Sequence, residues 1–546
     1  MNIPELLAAN ERMPHRAHQL AGVEALVKSP AFALFDEVGA GKTKQCVDTA
    51  QVLWLQKEID TVLVLTPGFA RSTWAESDPT LGEVAKHAWT SVPNIIHEFH
   101  GDYTELDLSY PGLHWVVSNY EFIRRDARRD ELLHQLRGRR TWMIVDESWC
   151  IKGRSDQTRA CIMIRRKRAD RATILNGTPL SDGKPLDLYY QFAFLDPEII
   201  GAKNITHFKS KYAITGGFQG KQIVGYKDLD ELNRRIAPYV LSRRTRDCFD
   251  LPPMLPPVVI DAKLGDDNWK RYREMRDQMV TWLGGQVSMS KQGIVKALRL
   301  AQITSGYLGG LENIDVDPEE PNLGMVVPEL GTLPTTQPIP QWLRKAQGLP
   351  EMAAPAGPFG PAVQAPVITG ETGKVCKEIG REKLDALMFW LDTLPALPDQ
   401  LLVWCRFRAE LERTTRELRR AYPIVENLKG GQSKEDRDLA KKLLAPGSKV
   451  RGAVVGNPKA GGASLNFSAA NIAVYLSLGP ALIELTQSVG RIERPGATQP
   501  MLIVYVRATG PKGQKTIDHH TWKSLQGKQD MASWTVEEWR RILQEE

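Results

Sequence analysis

Five apolar residues, Ala31 to Phe35, run straight into Asp36-Glu37-Val38-Gly39-Ala40-Gly41-Lys42-Thr43. The run reads as a buried strand. Gly39 and Gly41 then let the backbone turn tightly with its amides facing inward. A helix opening near Lys42 aims its N-terminal N–H groups at the same point. Amides from Gly39, Ala40 and Gly41, the Lys42 ammonium and the Thr43 hydroxyl thus converge on a polyphosphate. Lys42 reaches the β- and γ-phosphates, and Thr43 ligates Mg²⁺. The strict eight-residue phosphate-loop pattern wants glycine where Asp36 stands, so only Gly-Ala-Gly-Lys-Thr is met. The competing reading is a glycine-rich turn before an amphipathic helix.

The flanking chain supports a sheet around this loop. Upstream, a helix after Pro14 carries Leu20, Val23 and Leu26 on one face, with Gln19 beside them. A glutamine amide can both donate to and accept from an adenine edge; the alternative is a surface glutamine. Downstream, Thr61–Leu65, His114–Val117, Thr141–Val145 and Ala172–Leu175 are short apolar strands separated by helical patterns. That alternation predicts an α/β fold with a parallel sheet covered by helices on both faces. Ligands of such sheets bind at the carboxyl ends of the strands. Thr66-Pro67, Ser118-Asn119-Tyr120-Glu121, Asp146-Glu147 and Asn176-Gly177-Thr178-Pro179 all fall on that edge. Asp146 can hold Mg²⁺ directly or through water, and Glu147 can orient and deprotonate an attacking water. Thr178 either approaches the Mg²⁺ site or belongs to an ordinary turn.

Several of these stretches together resemble one family. Asp36–Thr43, Ser118-Asn-Tyr-Glu121 and Asp146-Glu-Ser-Trp149 resemble the early motifs of superfamily-two helicases. Leu175–Leu180, Phe194-Leu-Asp-Pro197 and Pro238–Thr245 followed by Leu251-Pro252 resemble the Swi/Snf-type branch. The resemblance runs from about Arg12 to Gln529, with the insertion at 309–375 excluded. It implies two RecA-like lobes with helical protrusions, ATP and Mg²⁺ as cofactors, and double-stranded DNA as the track of a translocase. The family usually follows the second carboxylate with Ala or Gly and then His; Ser148 and Trp149 stand here.

Helical patterns fill most of 186–308, and Ala297–Ile303 resembles the family's helix before the second lobe. From Gly309 to about Lys374 proline and glycine crowd in, as in Met352–Pro361, and no apolar period survives. This reads as an exposed insertion or linker. Strands resume at Leu401–Cys405, Val450–Val455, Ile472–Leu476 and Met501–Val506, forming a second α/β unit without a phosphate loop. Lys459-Ala-Gly-Gly-Ala-Ser-Leu-Asn466 predicts a glycine-rich turn into a helix, where Lys459, Gly461 and Gly462 either grip a nucleic-acid phosphate or cap the helix. Ser118, Asn119 and Tyr120 are further nucleic-acid candidates. Gln487-Ser-Val-Gly-Arg491-Ile-Glu-Arg494 resembles the family's last motif, with Gln487 on the nucleotide. Arg491 and Arg494, three apart, are expected on one helix face as arginine fingers. Arg124, Arg125, Arg128 and Arg129, and the run Arg165–Arg168, are either DNA contacts or solvated helix faces.

The organisation expected is therefore 1–197 as the first, ATP-binding lobe, 198–308 as a helical protrusion region, 309–375 as the insertion, and 376–546 as the second lobe with C-terminal helices. A net charge of +6 permits an anionic partner without demanding one. The six cysteines are scattered without a C-x-x-C pair, which fits a reducing compartment. Nothing approaches about 20 consecutive apolar residues, so no membrane span is expected. The expected place is the cytoplasm of a bacterial or virus-infected cell, with a nucleus not excluded. The expected activity is an ATP-driven translocase on double-stranded DNA, or a remodeller of DNA-bound protein complexes. The alternatives are a strand-separating or branch-migrating helicase and a nucleotide-gated scaffold.

Overall fold

The computed structural model describes residues 2–10, 13–79, 82–102, 105–180, 183–216, 222–283, 291–309, 367–369, 375–459 and 465–545. Two parallel sheets organise them. The first is built from β1 (Ala31–Leu34), β2 (Thr61–Thr66), β3 (Asn94–Glu98), β4 (Leu113–Asn119), β5 (Thr141–Val145) and β6 (Ala169–Leu175). The antiparallel hairpin of β7 (Ala213–Gly216) and β8 (Gln222–Tyr226) stands apart from it, and β9 (Val240–Leu241) returns to it. The strand order is β3-β4-β2-β5-β6-β1-β9, every pairing parallel.

Strand side chains alternate between faces. Leu63 and Leu65 of β2 enter one core with Ala33, Val116 and Met143. Val62 and Val64 enter the other with Leu34, Trp115 and Ile144. Both faces are buried, which is why these strands appear in the sequence as unbroken apolar runs. The second core is closed by α1 (Ile3–Asn10), α2 (Ala17–Lys28) and α3 (Lys42–Leu55). The first is closed by the helices Tyr120–Ile123, Asp126–Gln135, Asp156–Arg168 and Asp187–Leu195.

The second sheet comprises β10 (Val258–Lys263) and, beyond a small antiparallel sheet of β11 (Tyr307–Gly309), β12 (Val367–Thr369) and β13 (Val375–Glu378), five more strands. These are β14 (Gln400–Trp404), β15 (Val425–Leu428), β16 (Gly452–Gly456), β17 (Ile472–Tyr475) and β18 (Leu502–Thr509). Their order is β10-β18-β17-β14-β16-β15, again all parallel. Two α/β lobes with parallel sheets are thus present, as the resemblance implies. The long helix Ile517–Glu545 touches both: Leu525 is in a core of the second lobe, and Ala532 packs against the cores of each.

The expected helical region 198–308 does not form one unit. β9 completes the first sheet by pairing with β1, whereas β10 pairs with β18 at the edge of the second. The helices Asp266–Leu283 and Lys291–Thr304 pack on the second lobe through Trp269, Tyr272, Leu300 and Ile303. β9 is two residues long, and the half-exposed edge strand β10 carries only the short apolar run Val258–Ile260, too little for a sequence reading to find.

Residues 310–366 lie outside the described part, but the chain on either side of 310–374 is paired. Tyr307 faces Glu378 and Gly309 faces Cys376 across an antiparallel ladder. The chain therefore leaves and rejoins the fold at neighbouring points. Replacing 310–374 by a short Gly/Asn turn removes the three-residue edge strand β12 but keeps the β11–β13 pairing, and should leave the protein folded, because each halving of loop length returns about 0.6 kcal/mol of closure entropy. A thermal melt of that variant checks this, and a loss of cooperative unfolding would show that the segment carries part of the fold. Among the described residues no helix is long and apolar enough to cross a membrane, and Cys46, Cys150, Cys161, Cys248 and Cys405 form no disulfide.

Candidate active site at the lobe junction

The phosphate loop turns as its glycines predict. Gly39 and Gly41 have φ of +93° and +80°, and α3 begins at Lys42. Gly41 is also bare because of a neighbour: a Cβ there would lie 2.3 Å from Gln19 Nε2. Gln19 is buried, and its Oε1 accepts from the Arg16 backbone N–H at 3.1 Å. The Lys42 ammonium donates to the Asp36 and Glu37 carbonyls at 2.7 and 3.2 Å, spanning the loop. Ala40 offers its carbonyl to the His18 ring at 3.0 Å. Thr43 is half-buried at the first turn of α3.

Asp36, the departure from the strict pattern, has a structural reason. Its carboxylate is fully buried and takes two hydrogen bonds from Arg243, Nε at 2.8 Å and Nη2 at 2.7 Å, and one from Gln45 at 3.2 Å. Glycine could not anchor the segment after β9 in this way. The same segment donates Thr245 N–H to Glu37 Oε2 at 2.8 Å and the Thr245 hydroxyl to the Val38 carbonyl. Losing one partner of such a buried pair costs about 3–5 kcal/mol.

Asp146 and Glu147 follow β5. Asp146 Oδ1 accepts the Glu147 N–H at 2.9 Å. Its Oδ2 accepts Trp74 Nε1–H at 2.9 Å and the Thr66 hydroxyl at 3.3 Å. Three of about four lone-pair positions of the carboxylate are used, which leaves one for a metal ion or its water. That fits Mg²⁺, which keeps most of its waters and needs one or two protein oxygens; Thr43 and Asp146 would hold it. Glu147 adopts a left-handed backbone, φ +52°, rare for a residue with a Cβ. Burial, then the neighbouring Asp146 charge, pushes its carboxyl up to about 7. Burial raises Asp146 as well, against the hydrogen bond from Trp74 and the Lys42 charge.

The second lobe reaches into this site. Gln487 Nε2 lies 3.3 Å from Glu147 Oε2. The Arg494 side chain lies along the loop, with its Cγ 3.4 Å from where a Gly39 Cβ would stand, and its Nε donates to the Gly490 carbonyl at 2.7 Å. Arg491 is not beside it on a helix face. The helix Leu482–Val489 stops at Gly490, so both arginines sit in turns, and a spacing of three no longer puts them on one face. Arg491 is buried inside the second lobe, over the Trp404 ring at 4.9 Å, with Nη2 on the Pro458 carbonyl at 3.0 Å. Among the described residues its Nε and Nη1 have no hydrogen-bond partner.

The nucleic-acid candidates are differently placed. Ser118 and Tyr120 are buried in the lobe interior, Ser118 donating to the Phe99 carbonyl at 2.7 Å and Tyr120 to the Asp146 carbonyl. Asn119 is buried too, between His100 and Glu121. Their side chains support the site from behind, and in this conformation none is free to meet a nucleic acid. Lys459 is exposed and pairs with Glu484 at 3.5 Å; Gly461 and Gly462 lie outside the described residues. Among the described residues from 465 to β17 there is no helix, contrary to the expectation for the stretch after the turn. Of the basic runs, Arg128 and Arg129 pair with Glu131 and Asp126, while Arg165 and Arg168 donate to the Ala169 and Leu133 carbonyls. Arg166 and Lys167 remain exposed at a helix C-terminus, where positive charge is favoured.

The sequence reading placed Thr66 on the ligand edge without a role and missed Trp74 and Arg243 as parts of the site. Only their places after β2 and β9 hinted at them.

A model of the SNF2-related domain family matches residues 18–305 of this chain. The DNA annealing helicase and endonuclease ZRANB3 of Mus musculus is 27% identical over 303 residues, covering 50% of this chain and 26% of that protein. The SWI/SNF-related matrix-associated actin-dependent regulator of chromatin subfamily A-like protein 1 of Drosophila melanogaster is 22% identical over 284 residues, covering 51% and 32%. This chain thus matches about a quarter to a third of the length of these relatives. The solved SWI2/SNF2 ATPase core of Sulfolobus solfataricus in complex with dsDNA aligns with 92% of this chain and 89% of its own at 18% identity, TM-score 0.39.

Proposed function

This chain belongs to the SNF2-related family, and with it to the nucleic-acid-dependent ATPases of helicase superfamily two; from that premise we propose that it is an ATP-driven motor moving along double-stranded DNA. The observation that carries the reading is the convergence of two lobes on one loop. Lys42 and Glu147 come from the first lobe, Gln487 and Arg494 from the second, and a ligand between them joins or releases the lobes.

Lys42 and the loop amides bind the phosphates of ATP. Glu147 takes a proton from the water that attacks the γ-phosphorus. The bond to the β-phosphate oxygen breaks, ADP keeps the electron pair, and Lys42 and Arg494 balance the charge that spreads over the transferring group. Bound Mg²⁺, on Thr43 and Asp146, would neutralise phosphate charge. Hydrolysis weakens the hold of Arg494 and Gln487 on the first lobe, and repeated closing and opening ratchets the lobes along a backbone. Duplex DNA as the track rests on the relatives described as DNA annealing helicases and on the family resemblance. Displacement of DNA-bound proteins is the finer role this motor would serve.

The test is steady-state ATP hydrolysis without nucleic acid and with single-stranded DNA, duplex DNA or RNA. Duplex DNA should stimulate turnover at least tenfold above the others. Preference for single strands or forks would point to an unwinding helicase, and no stimulation to a nucleotide-gated scaffold.

A further inference from the structure

Ser148 and Trp149, which replace the family's usual small residue and histidine, divide two tasks between them. Ser148 is buried; its hydroxyl donates to Gln191 Oε1 at 2.6 Å and lies 3.3 Å from Asn176 Nδ2. Asn176 in turn accepts the Thr178 N–H at 2.8 Å, and Gly177 packs on Val38 of the phosphate loop. Ser148 therefore ties the carboxylate pair to the end of β6.

Trp149 turns the other way. Its indole N–H donates to Glu147 Oε2 at 2.8 Å. Gln487 Nε2 approaches the same oxygen at 3.3 Å from the second lobe. The other oxygen, Oε1, accepts no hydrogen bond from any described residue. An indole N–H only donates and does not titrate, and the ring has just two rotatable bonds. It can fasten one carboxylate oxygen and leave the other untouched.

We propose that Trp149 is the positioning residue for Glu147: with Gln487 it fastens Oε2, so that Oε1 receives the proton of the attacking water only when the second lobe is docked. The inference rests on the ATPase reading and adds to it how the base senses the opposite lobe. Trp149 holds Glu147 in both lobe positions, whereas Gln487 leaves with its lobe. The base is then fully oriented only in the closed state, and water is not activated when the lobes part.

The test measures ATP turnover and nucleotide affinity of the full chain with Mg²⁺ and duplex DNA. Trp149→Phe keeps the ring and removes the donor; kcat should fall about tenfold or more with KM within about threefold, since a hydrogen bond to a charged group is lost. Trp149→His, which restores an N–H, should recover part of the loss. Gln487→Leu should lower kcat similarly, and the double variant should be little worse than the worse single one, because both act through one oxygen. If Trp149→Phe does not fold, Gln487→Leu and Trp149→His carry the test. A Trp149→Phe kcat within twofold of the parent, a rise in KM alone, or multiplying effects of the two substitutions would overturn the inference and leave the ATPase reading standing. A parent chain without ATP turnover would overturn both.

Discussion

Replacing Arg494 by alanine is expected to slow ATP hydrolysis about a thousandfold while changing nucleotide affinity only a few-fold, the signature of a charge felt mainly in the transition state. Arg494 is pinned by its own Nε on the Gly490 carbonyl at 2.7 Å and laid along Gly39. Its guanidinium is thus delivered to the phosphate loop from a lobe that contributes no loop of its own. Burial lowers its pKa to about 10, with Glu147 pulling the other way, so it stays charged at neutral pH. Arg491 serves as the internal comparison. Burial lowers it to about 9, the charge of Arg494 adds to that, and among the described residues only Tyr475 pulls the other way. Its backbone carbonyl accepts the Phe467 N–H at 2.8 Å and its side chain braces Pro458, so it supports the turn that carries Arg494. Arg491→Ala should therefore slow turnover by about tenfold, the order of one lost charged hydrogen bond. Equal damage from both substitutions would mean that Arg491 leaves Trp404 for the nucleotide when ATP arrives. Equal loss of binding and turnover in Arg494→Ala would remove it as a finger.

What the sequence made legible follows from how local each feature is. The central strands β2, β4, β5 and β6 stood out because both their faces are buried, which forces a continuous apolar run. The edge strands did not: Asn94-Ile-Ile-His-Glu98 and Val425-Glu-Asn-Leu428 are partly exposed and mixed in character. The phosphate loop and the carboxylate pair were legible because neighbours in the chain build them. Their supports were not, because no spacing rule connects Trp74 to Asp146 or Arg243 to Asp36. Asp36 looked like a defect in the loop until the partner 207 residues away was in place. The arginine spacing misled for a local reason: a helical rule was applied across Gly490, where the helix ends.

Lys42→Ala should lower ATP turnover by at least about 10²–10³, the scale of losing a preorganised donor to transition-state charge. The Lys42 ammonium bridges the Asp36 and Glu37 carbonyls. Those two acceptors hold the ammonium at the loop, where a phosphate oxygen would compete for it. The loop itself does not depend on it. Gly39 and Gly41 supply the turn, and the Asp36–Arg243 pair anchors its entry. The alanine variant should therefore melt within a few degrees of the parent, while ATP binds about tenfold more weakly for want of one charged hydrogen bond. Near-parental turnover in a folded variant would sink the site assignment. The decisive form of the experiment pairs this substitution with Arg494→Ala. Lys42 and Arg494 belong to different lobes, and without a ligand between them their effects should be independent. If both act on one γ-phosphate, the double variant should lose much less than the product of the single losses, because residues that serve one transition state do not contribute additively. That shortfall measures the coupling of the lobes through ATP, which is the property a motor needs and a one-lobe nucleotide pocket lacks.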